Sequence, residues 1–232
     1  MRGGGHTMLR KIGVRTGAGW IAQKRKWTGT TMLILITNYA DMSSDPADMI
    51  CQGNIDQLAS FINANSVDFR IESEDNDPLL NYAISDQQTE VWKWLLDSGA
   101  DTTLTNDEGE NLIHASVYSG KVDRVFLAST LVNVNHRSAD GSTALLLATA
   151  LGKPEVVQCL IASGADVNIP DNDQNYPIHI AAQKGMLETI DHMIRAGSFL
   201  KVKTLRGNTA IALAANNDQD DVVRLLFNRI YR

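Results

Sequence analysis

The chain has 232 residues, 44% of them hydrophobic and 6% aromatic, with two cysteines and a formal net charge of −6. It is too apolar for a disordered protein, so small aliphatic side chains must fill a packed core. No apolar run approaches the roughly 20 residues needed to span a membrane.

Residues 1–41 differ from the rest. They are glycine-rich, lack a helical period and carry seven Lys or Arg against one acid, Asp41. The other 191 residues hold 14 bases and 26 acids, a net of −12. An acidic body argues against nucleic acid as the main partner and favours a protein with a basic surface. We read residues 1–41 as a disordered tail, or as upstream sequence preceding a true start at Met32 or Met42. The Arg-rich, acid-poor composition also suits a mitochondrial presequence, and Lys24-Arg25-Lys26 before Met32–Ile36 has the order of an export signal. Gly17-Ala18-Gly19-Trp20-Ile21-Ala22 fits a loose G-x-G-x-x-A pattern, but no strand precedes it, so the match is read as accidental.

From residue 43 onward the chain reads as helix pairs. Asp45 caps an opening helix and Pro46 takes its first turn, where a missing N–H costs nothing. Gly53 separates it from a second helix with Ile55, Leu58, Phe61 and Ile62 at helical spacing. Corners at Gly99-Ala100-Asp101, Leu131-Val132-Asn133, Gly164-Ala165-Asp166 and Gly197-Ser198 are each followed ten residues later by a turn position, Gly109, Gly141, Gln174 and Gly207. These turn positions are 32, 33 and 33 residues apart, the period of a stacked solenoid. Within one period, Asp140-Gly141 is a turn, Thr143 an N-cap, Ala144–Leu151 a short apolar helix and Gly152 its stop. Pro154 opens a second helix with a buried stripe of Val156, Val157, Leu160 and Ile161, and Gly164 ends it. Helices this short are unstable alone, so stacking on neighbours is the condition for folding.

Gly141-Ser142-Thr143-Ala144-Leu145 and Tyr176-Pro177-Ile178-His179-Ile180-Ala181 resemble the T-P-L-H-x-A motif of ankyrin repeats. Gly164-Ala165-Asp166-Val167-Asn168 is similar to that family's corner between repeats. Asn111-Leu112-Ile113-His114, Thr209-Ala210-Ile211-Ala212 and Asp77-Pro78-Leu79-Leu80 are looser versions. The resemblance implies an all-α ankyrin-repeat solenoid over residues 42–232, with about six helix-turn-helix units and projecting β-turn fingers. The units fall near 43–71, 72–104, 105–136, 137–169, 170–200 and 201–232. The first lacks the motif. The last should cap the stack with a wet outer face. The second has one extra residue between its helices and the third has one fewer, so local irregularity is expected there. Gln174, at a turn-glycine position, should bend or strain its finger.

No residue constellation supports chemistry. His114 and His179 sit at the motif position, where the resemblance implies a hydrogen bond to the neighbouring finger. His6 lies in the tail, while His136 and His192 read as solitary, without ligand spacing. Cys51 and Cys159 read as buried, unbridged thiols of a reducing compartment. Acids cluster at Glu72-Glu74-Asp75-Asp77, Asp107-Glu108-Glu110, Asp171-Asp173 and Asp218-Asp220-Asp221 without a calcium-loop pattern. Nucleophile and phosphate-loop motifs are absent. Of Trp92 and Trp94, two apart on one helix, one should be core. No cofactor or metal is expected, and the chain is read as a non-enzyme.

The resemblance implies a protein-binding module, monomeric and cytoplasmic, that engages a partner through finger tips and the concave face of the inner helices. By position these are Asn106, Asp107 and Glu108; Arg137, Ser138 and Asp140; Asp171, Asn172 and Asp173; Lys203, Thr204 and Arg206. On the helices they are Tyr118, Leu151, Gln183, Lys184, Asn216 and Asn217. The sharper expectation is an inhibitor or immunity-type protein of a toxin or enzyme. The alternatives are a bacterial effector, an organelle-targeted adaptor, or an enzyme with an unrecognised site.

Overall fold

Each helix of this chain is too short to hide its apolar stripe alone, and the arrangement follows from that. The computed structural model describes residues 45–71, 75–86 and 89–231. The N-terminal readings and the extra residue of the second unit lie outside these. Twelve helices occur among the described residues. The inner helices are α1 (Pro46–Cys51), α3 (Leu79–Ser85), α5 (Leu112–Ser119), α7 (Ala144–Ala150), α9 (Pro177–Gln183) and α11 (Ala210–Ala215). Each is followed by an outer helix: α2 (Ile55–Ala64), α4 (Thr89–Asp97), α6 (Val122–Leu131), α8 (Pro154–Ala162), α10 (Leu187–Arg195) and α12 (Asp220–Tyr231).

Every inner helix packs on its own outer helix and on the next inner helix, while α6, α8, α10 and α12 form a second row behind. The core runs between the rows. Leu112, Leu145, Leu146, Leu160, Ile178 and Met193 are all fully buried there. Trp92 is buried and Trp94 half-buried, as two residues pointing apart on one helix should be.

Caps set the helix ends. Asp45 accepts from the Ala47 amide and Thr143 from the Leu146 amide. After the inner helices the chain turns through a left-handed residue: Gly53, Gly120, Gly152 and Gly185, and finally Asp218 at φ 56°. The second pair breaks this rule, since Asp86 is extended at φ −77°. A side chain from the next repeat closes that end instead. Arg124, only 2% exposed, donates from Nη1 to the Ile84 carbonyl at 2.8 Å and to the Asp86 carbonyl. It is the third residue of its helix, where α4, α8, α10 and α12 bury Val91, Val156, Thr189 and Val222. A guanidinium thus replaces an apolar contact and satisfies carbonyls at a helix C-terminus. Lys153 does the same for α5, donating to the Val117 and Tyr118 carbonyls at 2.9 Å each.

Two expectations are corrected. Neither cysteine is bridged, but Cys51 is exposed at the end of α1 and Cys159 is half-buried on α8. Being apolar-flanked placed them on helices, not on the buried face. Partial burial holds both thiols above their ordinary pKa, so they stay protonated. His136 is not solitary. Its ring packs edge-on against His114 with centroids 5.8 Å apart, and its Nε2 lies 3.0 Å from the Gly109 carbonyl.

Two predictions follow from these buried polar groups. Arg124→Met leaves the α3 carbonyls unsatisfied and should cost about 2 kcal/mol in urea unfolding. The second concerns pH. Burial lowers the His114 pKa to about 4, against an ordinary 6.5, with His136 adding to the shift and the Ser142 carbonyl and Asp140 opposing it. The unfolded chain therefore takes up more protons between those values. Stability should fall by roughly 3 kcal/mol as pH drops from 6.5 to 4. His114→Asn should flatten the urea midpoint across that window; an unchanged slope would remove His114 as the cause.

Candidate protein-binding surface

The fingers begin as Asx-type turns. Asn106 Oδ1 accepts from the amides of Glu108 and Glu110, and Asp171 Oδ1 from those of Asp173 and Asn175. Asp140 Oδ1 accepts from the Ser142 amide and Thr204 Oγ1 from the Asn208 amide. Each turn closes on a left-handed residue: Gly109, Gly141, Gln174 and Gly207 have φ of 74°, 81°, 59° and 81°. Gln174 therefore keeps the shared finger geometry and bears its strain.

Successive fingers are tied together. The amides of Asp107, Ala139, Asn172 and Leu205 donate to the carbonyls of Asp75, Glu108, Asp140 and Asp173, at 3.0, 2.8, 2.9 and 2.9 Å. The histidines anchor this ladder to the helices, as expected. His114 Nε2 lies 3.2 Å from the Ser142 carbonyl and His179 Nε2 3.1 Å from the Val202 carbonyl. The Tyr176 amide donates to His179 Nδ1, so that ring is neutral and Nε2 is its donor. A second ladder joins the corners. Side-chain oxygens of Asp68, Asn135 and Asn168 accept from the amides of Asp101, Asp166 and Phe199. Thr103 holds the equivalent place in the second unit but donates within its own loop, to Asp101. The irregular third unit starts at that joint, and its outer helix ends on an extended Val132 where its neighbours reach a glycine.

The ladder sets the candidate residues in register. One column holds Asp75, Glu108, Asp140, Asp173 and then Arg206; the other holds Asp107, Ala139, Asn172 and Leu205. Asp107, Arg137, Asp140, Asn172, Asp173 and Arg206 are exposed, as are Gln183, Lys184, Asn216 and Asn217 on the helices. Leu151 is half-buried. Tyr118 is 39% exposed, and its hydroxyl donates to Glu110 at 2.9 Å. Burial, then Glu110, Asp75 and Asp77, push its pKa far above the phenol range. Three carboxylates, of Glu110, Asp75 and Asp77, act on that hydroxyl.

Three corrections apply here, and one candidate, Arg137, gains a structural role. Asn106 and Asp171 are buried, their side chains spent on shaping the turns, because a finger that begins on Asn or Asp folds it inward. Thr204 is buried for the same reason. Arg137 is exposed yet bonded to the Gly141 carbonyl and to Asn172 Oδ1, so it ties two fingers together. The outer face of the last helix is not wholly wet, since Phe227 and Tyr231 are 54% and 68% exposed. Sequence reading also missed three residues of the columns, Ala139 among them. Leu205 is 72% exposed at a tip, and its signal was an aliphatic side chain inside a polar turn. Asp75 was counted only as loop charge.

Among the described residues no group of three or more His, Cys, Asp and Glu side chains could hold a metal ion. No helix among them is long and apolar enough to cross a membrane.

A sequence model of ankyrin repeats, three copies long, matches residues 80–171 and 145–231. The human palmitoyltransferase ZDHHC13 is 28% identical over 176 residues, 74% of this chain and 28% of that protein. The L-asparaginase of Dirofilaria immitis is 26% identical over 152 residues, 65% of this chain and 26% of that protein. The human transient receptor potential cation channel subfamily A member 1 is 29% identical over 150 residues, 63% of this chain and 13% of that protein. The chain thus spans less than a third of the length of these relatives.

Relief of the strained finger is directly measurable. Gln174→Gly should raise stability by about 1 kcal/mol, seen as a higher melting temperature. A loss would mean that the Gln174 side chain holds the finger.

Proposed function

The chain belongs to the ankyrin-repeat family, and from that premise we propose that it is a non-enzymatic module binding a protein with a basic surface. The carrying observation is the finger ladder. Most apolar side chains of the helix pairs are consumed in stacking, whereas the mainly polar tips are held outward in register. Rigid side chains lose little entropy on docking.

Charge supports the choice of partner. Asp75, Glu108, Asp140 and Asp173 form one column. Repeats stack at roughly the 10 Å separation of packed helices. A row of carboxylates at that step attracts cations and speeds their encounter. Tyr118 beside Glu110 adds an exposed aromatic, the residue type that dominates interface energies. Arg206 and Leu205 end the two columns and set a direction on the partner: basic over the early fingers, acidic and apolar at the last. In its narrower form, the proposal is that docking blocks a basic toxin or enzyme. The similar proteins are named for acyl transfer, an asparaginase and a cation channel, so no one of those activities passes to this chain. The unbridged cysteines suit the cytoplasm.

Affinity capture with mass spectrometry identifies the partner, and titration gives its Kd. Tyr118→Ala with Leu151→Ala should weaken binding at least tenfold, about 1.4 kcal/mol, while the chain stays folded. Asp107→Lys with Asp173→Lys should weaken it most at low salt. Binding that survives both pairs rejects this face.

A further inference from the structure

The joints between successive fingers are not alike. At the motif position the second repeat has Asn81, whose Nδ2 donates to the Leu104 carbonyl at 3.3 Å, and the fourth has Leu146. The fifth has His179 alone, bonded to the Val202 carbonyl. Between the Asn106 finger and the Arg137 finger two imidazoles cross in opposite directions. His114 Nε2 reaches forward to the Ser142 carbonyl at 3.2 Å, and His136 Nε2 reaches back to the Gly109 carbonyl at 3.0 Å. A carbonyl only accepts, so Nε2 carries a proton on both rings. The rings meet edge-on, 5.8 Å between centroids. His114 is fully buried, with Nδ1 2.9 Å from the Asn111 side chain, so its bonded partners are neutral.

We propose that the His114–His136 pair is an acid-operated latch, whose protonation parts the Asn106 finger from the Arg137 finger while the helices stay stacked. Imidazoles change charge in mild acid, whereas carboxylates ordinarily keep theirs down to about pH 4. A second proton on each ring sets two cations side by side, one of them in a dry site. Burial lowers the His114 pKa to about 4, so the closed joint resists that proton. Parting the fingers wets both rings and removes the resistance. The latch is therefore complete above pH 6.5 and lost as pH falls toward 4. Around the pair stand Asp140, which favours the proton on His114, and Arg137 on one finger, with Glu108 and Glu110 on the other. Of the helices packed on α5, α7 has no titratable group and α3 has only Tyr82, while Arg124 of α6 is turned to the end of α3. The fingers give way before the helices because their ties are polar. Beside the imidazoles the tie is the Ala139 amide on the Glu108 carbonyl, and Arg137, Ala139 and Asp140 are exposed, whereas α5 and α7 bury Val117, Leu145 and Leu146. Resting on the proposed binding face, the consequence is regulatory. Glu108 and Asp140 are the middle carboxylates of the column, so acid breaks it at its centre and releases a basic partner.

Hydrogen exchange of the whole chain between about pH 7 and 5, taken as protection relative to each amide's intrinsic rate, tests the latch. It needs no partner, so its outcome is separate from whether the fingers bind one. The Ala139 amide should lose protection roughly tenfold or more. Asp107 and Asn172, whose joints hold no histidine link, should keep theirs, and Leu205, across the joint with His179 alone, should lose less. His114→Asn with His136→Gln should abolish the selective loss, since Asn81 makes the equivalent link in the second repeat. His136→Gln alone, at the half-buried ring, should shrink it. Ala139 protection that follows Asp107 and Asn172 down to pH 5 overturns the proposal. So does a Leu205 loss as large as that of Ala139, or an Ala139 loss unchanged by either variant.

Discussion

A helix of six to twelve residues cannot bury both of its apolar flanks, and a pair of them covers only the surface between its two members. Stability then comes from each pair leaning on the next. The side chains show this. Leu112, Leu145 and Ile178 reach zero or one per cent exposure only because another inner helix lies on either side. The fingers carry the same dependence onto polar ground. Each tip amide finds its acceptor in the preceding repeat, so the binding surface and the fold rest on one set of contacts.

Where the repeat pattern fails, charged groups take over. The second pair lacks the glycine that lets its neighbours turn, and Arg124 enters from the following repeat to satisfy the exposed carbonyls. Lys153 repeats the device at α5, although Gly120 is in place there. Such links tie adjacent repeats through carbonyls that are costly to leave without a donor. The cost is exposure to pH and substitution at single residues.

Much of the fold was legible because its signals are local. Thr143, Pro154, Gly152 and Gly164 each act on their own turn of helix. His114 and His179 were legible through the motif. Arg124 was not, because its partners lie about 40 residues earlier and nothing near it in sequence marks the unturned helix it serves. Asn106 and Asp171 were misplaced for a related reason. Polar residues in a turn point inward or outward according to which amide they meet, and composition does not record that. Leu205 and Asp75 entered the candidate surface only through the register of the ladder, which spans two repeats.

Native-state hydrogen exchange of the finger amides tests the central claim most directly. The amides of Asp107, Ala139, Asn172 and Leu205 sit on projecting tips, yet each donates to the repeat before it. If coupling between repeats holds the structure and presents the surface, they exchange slowly, opening only with the stack. Exchange at the rate of an unprotected loop would contradict the account.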